Sequence, residues 1–167
     1  YVGSHNLVAP DYDTPSYTKA GMLYDDTSVS VTGPIVAQIQ AVFAVDWYYA
    51  CKEVLTPEVL TPPAAQLAAE NEDTQISAMQ IIPSGPAFTG EPNLRAFIHM
   101  ISSARTHVSI TSPYFIPDEA LMTALTNAAL SGVEVELFVS EQFDQFLVGH
   151  AQRSYYGPLL KAGVRIH

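Results

Sequence analysis

Residues 106–139 read THVSITSPYFIPDEALMTALTNAALSGVEVELFV. Val108 to Thr111 is a short run rich in β-branched residues and predicts a strand. Asp118 opens a helical pattern that lasts to Leu130. Leu121, Met122, Leu125, Ala128 and Ala129 recur on one face, and Gly132 is its C-terminal stop. Val133 to Val139 then predicts a second strand. Strand, helix and strand at this spacing form a βαβ unit, whose two strands lie parallel in one sheet.

The same rhythm extends in both directions. Upstream, Ile76 to Ile82 predicts a strand. Asn93 to Arg105 predicts an amphipathic helix with Leu94, Phe97, Ile98 and Ile101 on one face. Downstream, Phe143 to Lys161 predicts a helix ending at Gly163, and Val164 to Ile166 begins another strand. The expected fold is α/β, a mixed but mostly parallel sheet flanked by helices on both faces.

The first third is less regular. Tyr1 to Asn6 looks like a strand running into a loop, residues 10–19 read as loop, and Ala20–Tyr24 and Ser28–Val31 are short strand candidates. Thr32-Gly33-Pro34 starts a helix, with Pro at its first position and Ile35, Ile39, Val42, Phe43 and Trp47 at helical spacing to about Lys52. The Phe43–Trp47 pair reads as core packing. Residues 53–74, with Pro57, Pro62 and Pro63, an alanine-rich run and then acidic residues, read as a linker. The expected division is therefore 1–52, a linker over 53–74, and 75–167.

Composition narrows the function. The chain has 167 residues, 48% hydrophobic and 14% charged, which suits a folded core. Seven Lys plus Arg face 17 Asp plus Glu, a net charge of −10. Such a chain is a poor partner for nucleic acid or for an anionic membrane gripped by charge alone. The single cysteine, Cys51, allows no intrachain disulfide, and its aromatic neighbours suggest a small buried side chain. No uninterrupted apolar run reaches the ~18 residues of a membrane span. The chain begins at Tyr1 and reads as an excerpt.

In a parallel sheet, ligands gather at the carboxyl ends of the strands. The predicted ends are Ser84-Gly85-Pro86, Ser112-Pro113-Tyr114-Phe115, Ser140-Glu141 and His167. Small, hydroxyl-bearing residues there suit an anion held by turn N–H groups, and they equally suit ordinary loops. There is no glycine-rich nucleotide loop, zinc-protease helix or nucleophile elbow. His5, His99, His107, His150 and His167 are scattered and give no metal-ligand spacing.

Read in order, these segments form a series. Gly3-Ser4-His5-Asn6 resembles the Gly-Ser-x-Asn that closes the first catalytic motif of the phospholipase D superfamily. Thr32-Gly33-Pro34-Ile35-Val36, with Phe43 and Asp46-Trp47 after it, resembles a signature of bacterial cardiolipin synthases. Ser84-Gly85-Pro86 matches their Ser-Gly-Pro. Thr111-Ser112-Pro113-Tyr114-Phe115-Ile116-Pro117-Asp118-Glu119 is the most specific match. Gly132-Val133-Glu134-Val135, Arg153-Ser154-Tyr155-Tyr156 and Ala162-Gly163-Val164 fit the elements that follow.

The resemblance implies a partial phospholipase-D-like fold, taken from a two-half pseudo-repeat. The 1–52 segment would be the end of the first half and 75–167 the start of the second. Neither His-x-Lys-x4-Asp catalytic motif of that family lies within these residues, so no catalytic residue is assigned. The implied activity is phosphatidyl transfer between two phosphatidylglycerol molecules through a phosphohistidine, without a metal or other cofactor. It would take place at the cytoplasmic membrane of a bacterium, with this piece itself soluble, inactive alone and prone to self-association. Ser4, Asn6, Ser84, Gly85, Pro113, Tyr114 and Phe115 would line the phosphate and substrate cleft. A hydrolytic phospholipase or nuclease of the same superfamily, and a non-catalytic α/β binding module, remain as alternatives; the acidic balance speaks against the nuclease.

Overall fold

A computed structural model describes residues 1–5, 26–56, 77–141 and 146–167. Asn6, the loop at 10–19, the strand candidate Ala20–Tyr24 and most of the expected linker lie outside these residues. The chain divides into two compact units, residues 1–81 and 82–167.

In the first unit, strand β1 (Val2–Gly3) pairs antiparallel with β2 (Ser28–Val29), Val2 opposite Val29 and Gly3 opposite Ser28. A Cβ on Gly3 would collide with the Ser28 hydroxyl, so the close approach requires glycine. Helix α1 spans Ile35–Cys51, behind Gly33 at φ +89° and Pro34. It ends where Lys52 turns left-handed and donates its N–H to the Tyr48 carbonyl at 2.8 Å. Phe43 and Trp47 touch each other, with ring centroids 5.8 Å apart, but Phe43 is 52% exposed. The pair therefore packs on itself at the surface of this unit, not in a core. Cys51 is likewise exposed, contrary to the reading from its neighbours. It is the helix's last residue, and among the described residues nothing covers it.

The second unit runs α2 (Pro92–Ser103), β3 (His107–Ser112), α3 (Glu119–Leu130), β4 (Glu134–Val139), α4 (Phe146–Ser154), α5 (Tyr156–Ala162) and β5 (Arg165–Ile166). The sheet order is β3-β4-β5, all parallel, with Ser112 opposite Val139 and Leu137 opposite Ile166. The βαβ reading of 106–139 holds in this register.

Two helix ends aim the chain into the sheet. After α3, Gly132 at φ +90° lets its own N–H reach the Ala129 carbonyl and the Val133 N–H reach Ala128. After α5, Gly163 at φ +98° repeats the pattern onto Leu160 and Leu159. These paired bonds satisfy carbonyls that a helix end leaves open and reverse the chain toward β4 and β5. α3 also has a built start. The Asp118 carboxylate accepts the Leu121 N–H at 2.7 Å. Asp118→Ala is expected to cost about 1 kcal/mol of stability, read as a lower denaturation midpoint with unchanged slope.

Leu125, Leu137, Leu159 and Val135 form the centre of one core, joined by Ile101 from α2, Phe115 and Val164.

The structure corrects several expectations. Residues 77–82 form no strand, and the sheet has three strands among the described residues. An alternating run becomes a strand only where it finds a ladder and a face to bury. Here Met79 and Ile82 stay exposed, and Pro83 ends the run. The helix expected over 143–161 is two helices. Pro158 has no N–H for the Ser154 carbonyl and its ring would strike that group, so α4 stops at Ser154. Phe97, expected on the buried face of α2, is half-exposed, while Ile101 is buried.

The helices of this unit share one core with one sheet face among the described residues. Val135 and Leu137 point into it. Glu134 and Phe138 alternate to the other face, which is open. Among the described residues, no helix of the expected second layer lies there. The cause lies in the strands, where His107, Ser109, Thr111, Glu134 and Glu136 put polar groups at alternate positions and mark a sheet buried on one side.

Candidate functional site

Because β3, β4 and β5 are parallel and in register, their carboxyl ends reach one edge. Ser112, Ser140 and His167 lie at that edge, where His167 donates its N–H to the Leu137 carbonyl at 2.8 Å and Val139 donates to His167 at 3.0 Å. Three of the four predicted strand ends are thus brought together.

The fourth is placed differently. Ser84 and Gly85 do not end a strand but enter a tight turn, in which the Phe88 N–H donates to the Gly85 carbonyl at 2.9 Å. Gly85 sits at φ +145° and Pro86 follows at the turn's second position. Ser84 is exposed beside it.

The segment leaving β3 is the most constructed part of the edge. Pro113 and Pro117 bracket it and fix two φ angles. Phe115 and Pro117 are buried, whereas Pro113, Tyr114 and Ile116 are exposed, Tyr114 to 43%. The Phe115 side chain belongs to the core, so of the three residues named for the cleft here it is Pro113 and Tyr114 that face outward.

Past Ser112 the segment has left the ladder, and the Phe115 N–H needs another acceptor. It finds Gln152 of α4. Phe115 donates to Gln152 Oε1 at 2.7 Å across 37 residues of sequence, and Gln152 Nε2 donates to the Tyr156 hydroxyl at 2.7 Å. Gln152 is 0% exposed and is the one fully buried polar side chain among the described residues. Sequence reasoning missed it. A glutamine in a helix gives no signal when its partner is a backbone amide on another element.

The open face of the sheet carries a second polar group. The Glu136 carboxylate lies 3.1 Å from His107 Nε2, and 3.2 Å from both Arg165 and His167 Nε2. Arg165 also pairs with Glu134, and the His167 ring stacks on Phe138 at 4.7 Å. These are cross-strand neighbours, and exposed pairs of this kind are worth little each. No described group of His, Cys, Asp and Glu could hold a metal ion.

In the first unit, Ser4 Oγ donates to Asp26 at 2.6 Å and accepts the Thr27 N–H at 3.0 Å, while His5 Nδ1 lies 2.5 Å from the Ser28 hydroxyl. The Ser4 hydroxyl is therefore engaged within its own hairpin. Asn6 lies outside the described residues. No described helix is long and apolar enough to cross a membrane.

Residues 97–167 match the family described as "Cardiolipin synthase, PLD-like domain". Over 85% of its length the chain is 40% identical to a cardiolipin synthase of Geobacillus thermodenitrificans, covering 27% of that protein. Over 99% of its length it is 39% identical to cardiolipin synthase A of Pseudomonas syringae, covering 32% of that protein, and 36% identical to the Pseudomonas aeruginosa enzyme of the same name, covering 31%. The chain thus spans about a third or less of the curated relatives it matches. A polyphosphate kinase from Porphyromonas gingivalis superposes on 49% of the chain, and on 12% of its own, with a TM-score of 0.36 at 20% identity, too little for any argument.

Proposed function

We propose that the chain is part of a phosphatidyltransferase of the family that residues 97–167 match, the phospholipase-D-like domain of cardiolipin synthases, joining two phosphatidylglycerol molecules into cardiolipin and glycerol. The observation that supports this reading is the Thr111–Glu119 segment, which resembles the motif of those enzymes, lies inside the matched residues 97–167 and is anchored at the sheet edge where α/β folds hold ligands.

In the proposed reaction, one histidine of a His-x-Lys motif attacks the phosphorus of the donor lipid. The bond from phosphorus to the head-group glycerol oxygen breaks, and a second motif histidine gives that oxygen its proton. The resulting phosphohistidine is then attacked by the terminal hydroxyl of a second phosphatidylglycerol. That hydroxyl's proton returns to the second histidine, and the first is freed. Both histidines would come from sequence flanking these 167 residues. Ser4, Asn6, Ser84, Gly85, Pro113, Tyr114 and Phe115 would shape the cleft, Phe115 through its backbone. Residues 1–52 would close the first half of the enzyme and 75–167 open the second, with 53–74 between them. The work would take place at the bacterial cytoplasmic membrane. With a net charge of −10, this part would not supply an electrostatic grip on anionic lipid.

The full-length protein, purified and given phosphatidylglycerol in mixed micelles, is expected to release glycerol and cardiolipin in equal amounts. Phosphatidate and glycerol without cardiolipin would make it a hydrolase instead. Silence from a folded enzyme with intact motifs would remove the family activity altogether.

A further inference from the structure

We infer that Gln152 is a positioning residue for phospholipid binding, acting through the backbone of Phe115 to set the placement of Tyr114. The inference rests on the proposed function and adds to it a residue that the motif match does not assign.

Burying an amide without partners is unfavourable, and both ends of this one are used. The bonding also fixes which end is which. A backbone N–H needs an acceptor, so Oε1 must face Phe115, and Nε2 is left to donate to the Tyr156 hydroxyl. Tyr156 therefore holds the amide in the plane that serves the loop.

The consequence falls on Tyr114. The Phe115 N–H belongs to the peptide plane that contains the Tyr114 carbonyl, so tethering it fixes that plane. Pro113 stiffens the chain on one side, and the buried Phe115 ring and Pro117 anchor it on the other. Tyr114 is left as an outward side chain on an immobilised backbone at the strand-end edge. Its ring offers apolar area and its hydroxyl a polar tip, which suits the boundary between a lipid's chains and its phosphoglycerol head. A backbone ordered before binding loses less freedom when the lipid arrives.

The test uses the full-length protein and phosphatidylglycerol in mixed micelles. Wild-type turnover is measured first, and its absence overturns the proposed function before any variant is considered. With wild-type turnover in hand, Gln152→Leu is expected to raise KM about tenfold and to change kcat less than about twofold. A role in folding alone would do the reverse, because an unfolded fraction lowers apparent kcat and leaves KM alone. Tyr114→Ala should raise KM by a similar factor. The double variant should resemble either single one, since both act through one side chain. Should Gln152→Leu fail to fold, Tyr156→Phe carries the test with an expected KM increase of about threefold. A fall in kcat at constant KM, or KM effects of Gln152→Leu and Tyr114→Ala that multiply to about a hundredfold, would overturn the inference.

Discussion

Residues 1–167 on their own, incubated with phosphatidylglycerol, are expected to give no cardiolipin and no glycerol above a heat-denatured control. The expectation is chemical. A phosphodiester needs a positioned nucleophile at phosphorus and a proton for the departing oxygen, and the proton alone contributes about 10²–10⁴-fold. None of His5, His99, His107 and His150 has a lysine two positions on. His107 and His167 are engaged with Glu136 on the open sheet face, and His5 with Ser28 in its hairpin. Ser112 and Ser140 at the sheet edge could touch a phosphate, but among the described residues neither hydroxyl is bonded to a base that could activate it. Glycerol release is the sensitive measurement, because it reports hydrolysis as well as transfer. Turnover by the isolated chain would mean that the chemistry does not depend on the family's motif histidines.

Most of the second unit was legible in the sequence because its signals are local. The periodicity of Leu121, Leu125 and Ala128 is a property of one helix, and Gly132 and Gly163 stop their helices by a conformation each adopts alone. The parallel pairing followed from spacing. The open sheet face was misread, because the βαβ rhythm points to helices on both sides, whereas the alternation of Glu134, Val135, Glu136 and Leu137 marks one buried side. Strand pattern outranks connectivity here, because it records directly which side chains meet water. Residues 77–82 misled because an apolar run shows what could be buried, not whether a partner exists. Gln152 was beyond reach: its meaning depends on Phe115, which only the packing of α4 against the end of β3 brings within 2.7 Å.

Leu159→Ala is expected to cost the second unit about 3 kcal/mol, while Leu160→Ala one position on costs less than about 0.5 kcal/mol. The two leucines have the same chemistry and neighbouring places on α5. Leu159 is 0% exposed and packs in the core with Leu125, Leu137 and Val164, whereas Leu160 is 56% exposed. Truncating the first removes apolar burial and leaves a void that the sheet and α3 can only partly close. Truncating the second removes methyl groups that already meet water. Leu159 also lies at the C-terminal turn of its helix, where its carbonyl accepts the Val164 N–H at 3.0 Å. Loosening its side chain therefore weakens the turn that delivers β5 to the sheet. The only tryptophan, Trp47, belongs to the first unit, so indole fluorescence would follow the wrong part of the chain. Amide hydrogen exchange at Val135 and Leu137, in the central strand, reads the right one. A cost of about 3 kcal/mol corresponds to exchange about a hundredfold faster in Leu159→Ala, with Leu160→Ala close to wild type. Equal acceleration in both variants would mean that α5 does not present Leu159 to the core, and the helix layer over the sheet would have to be redrawn.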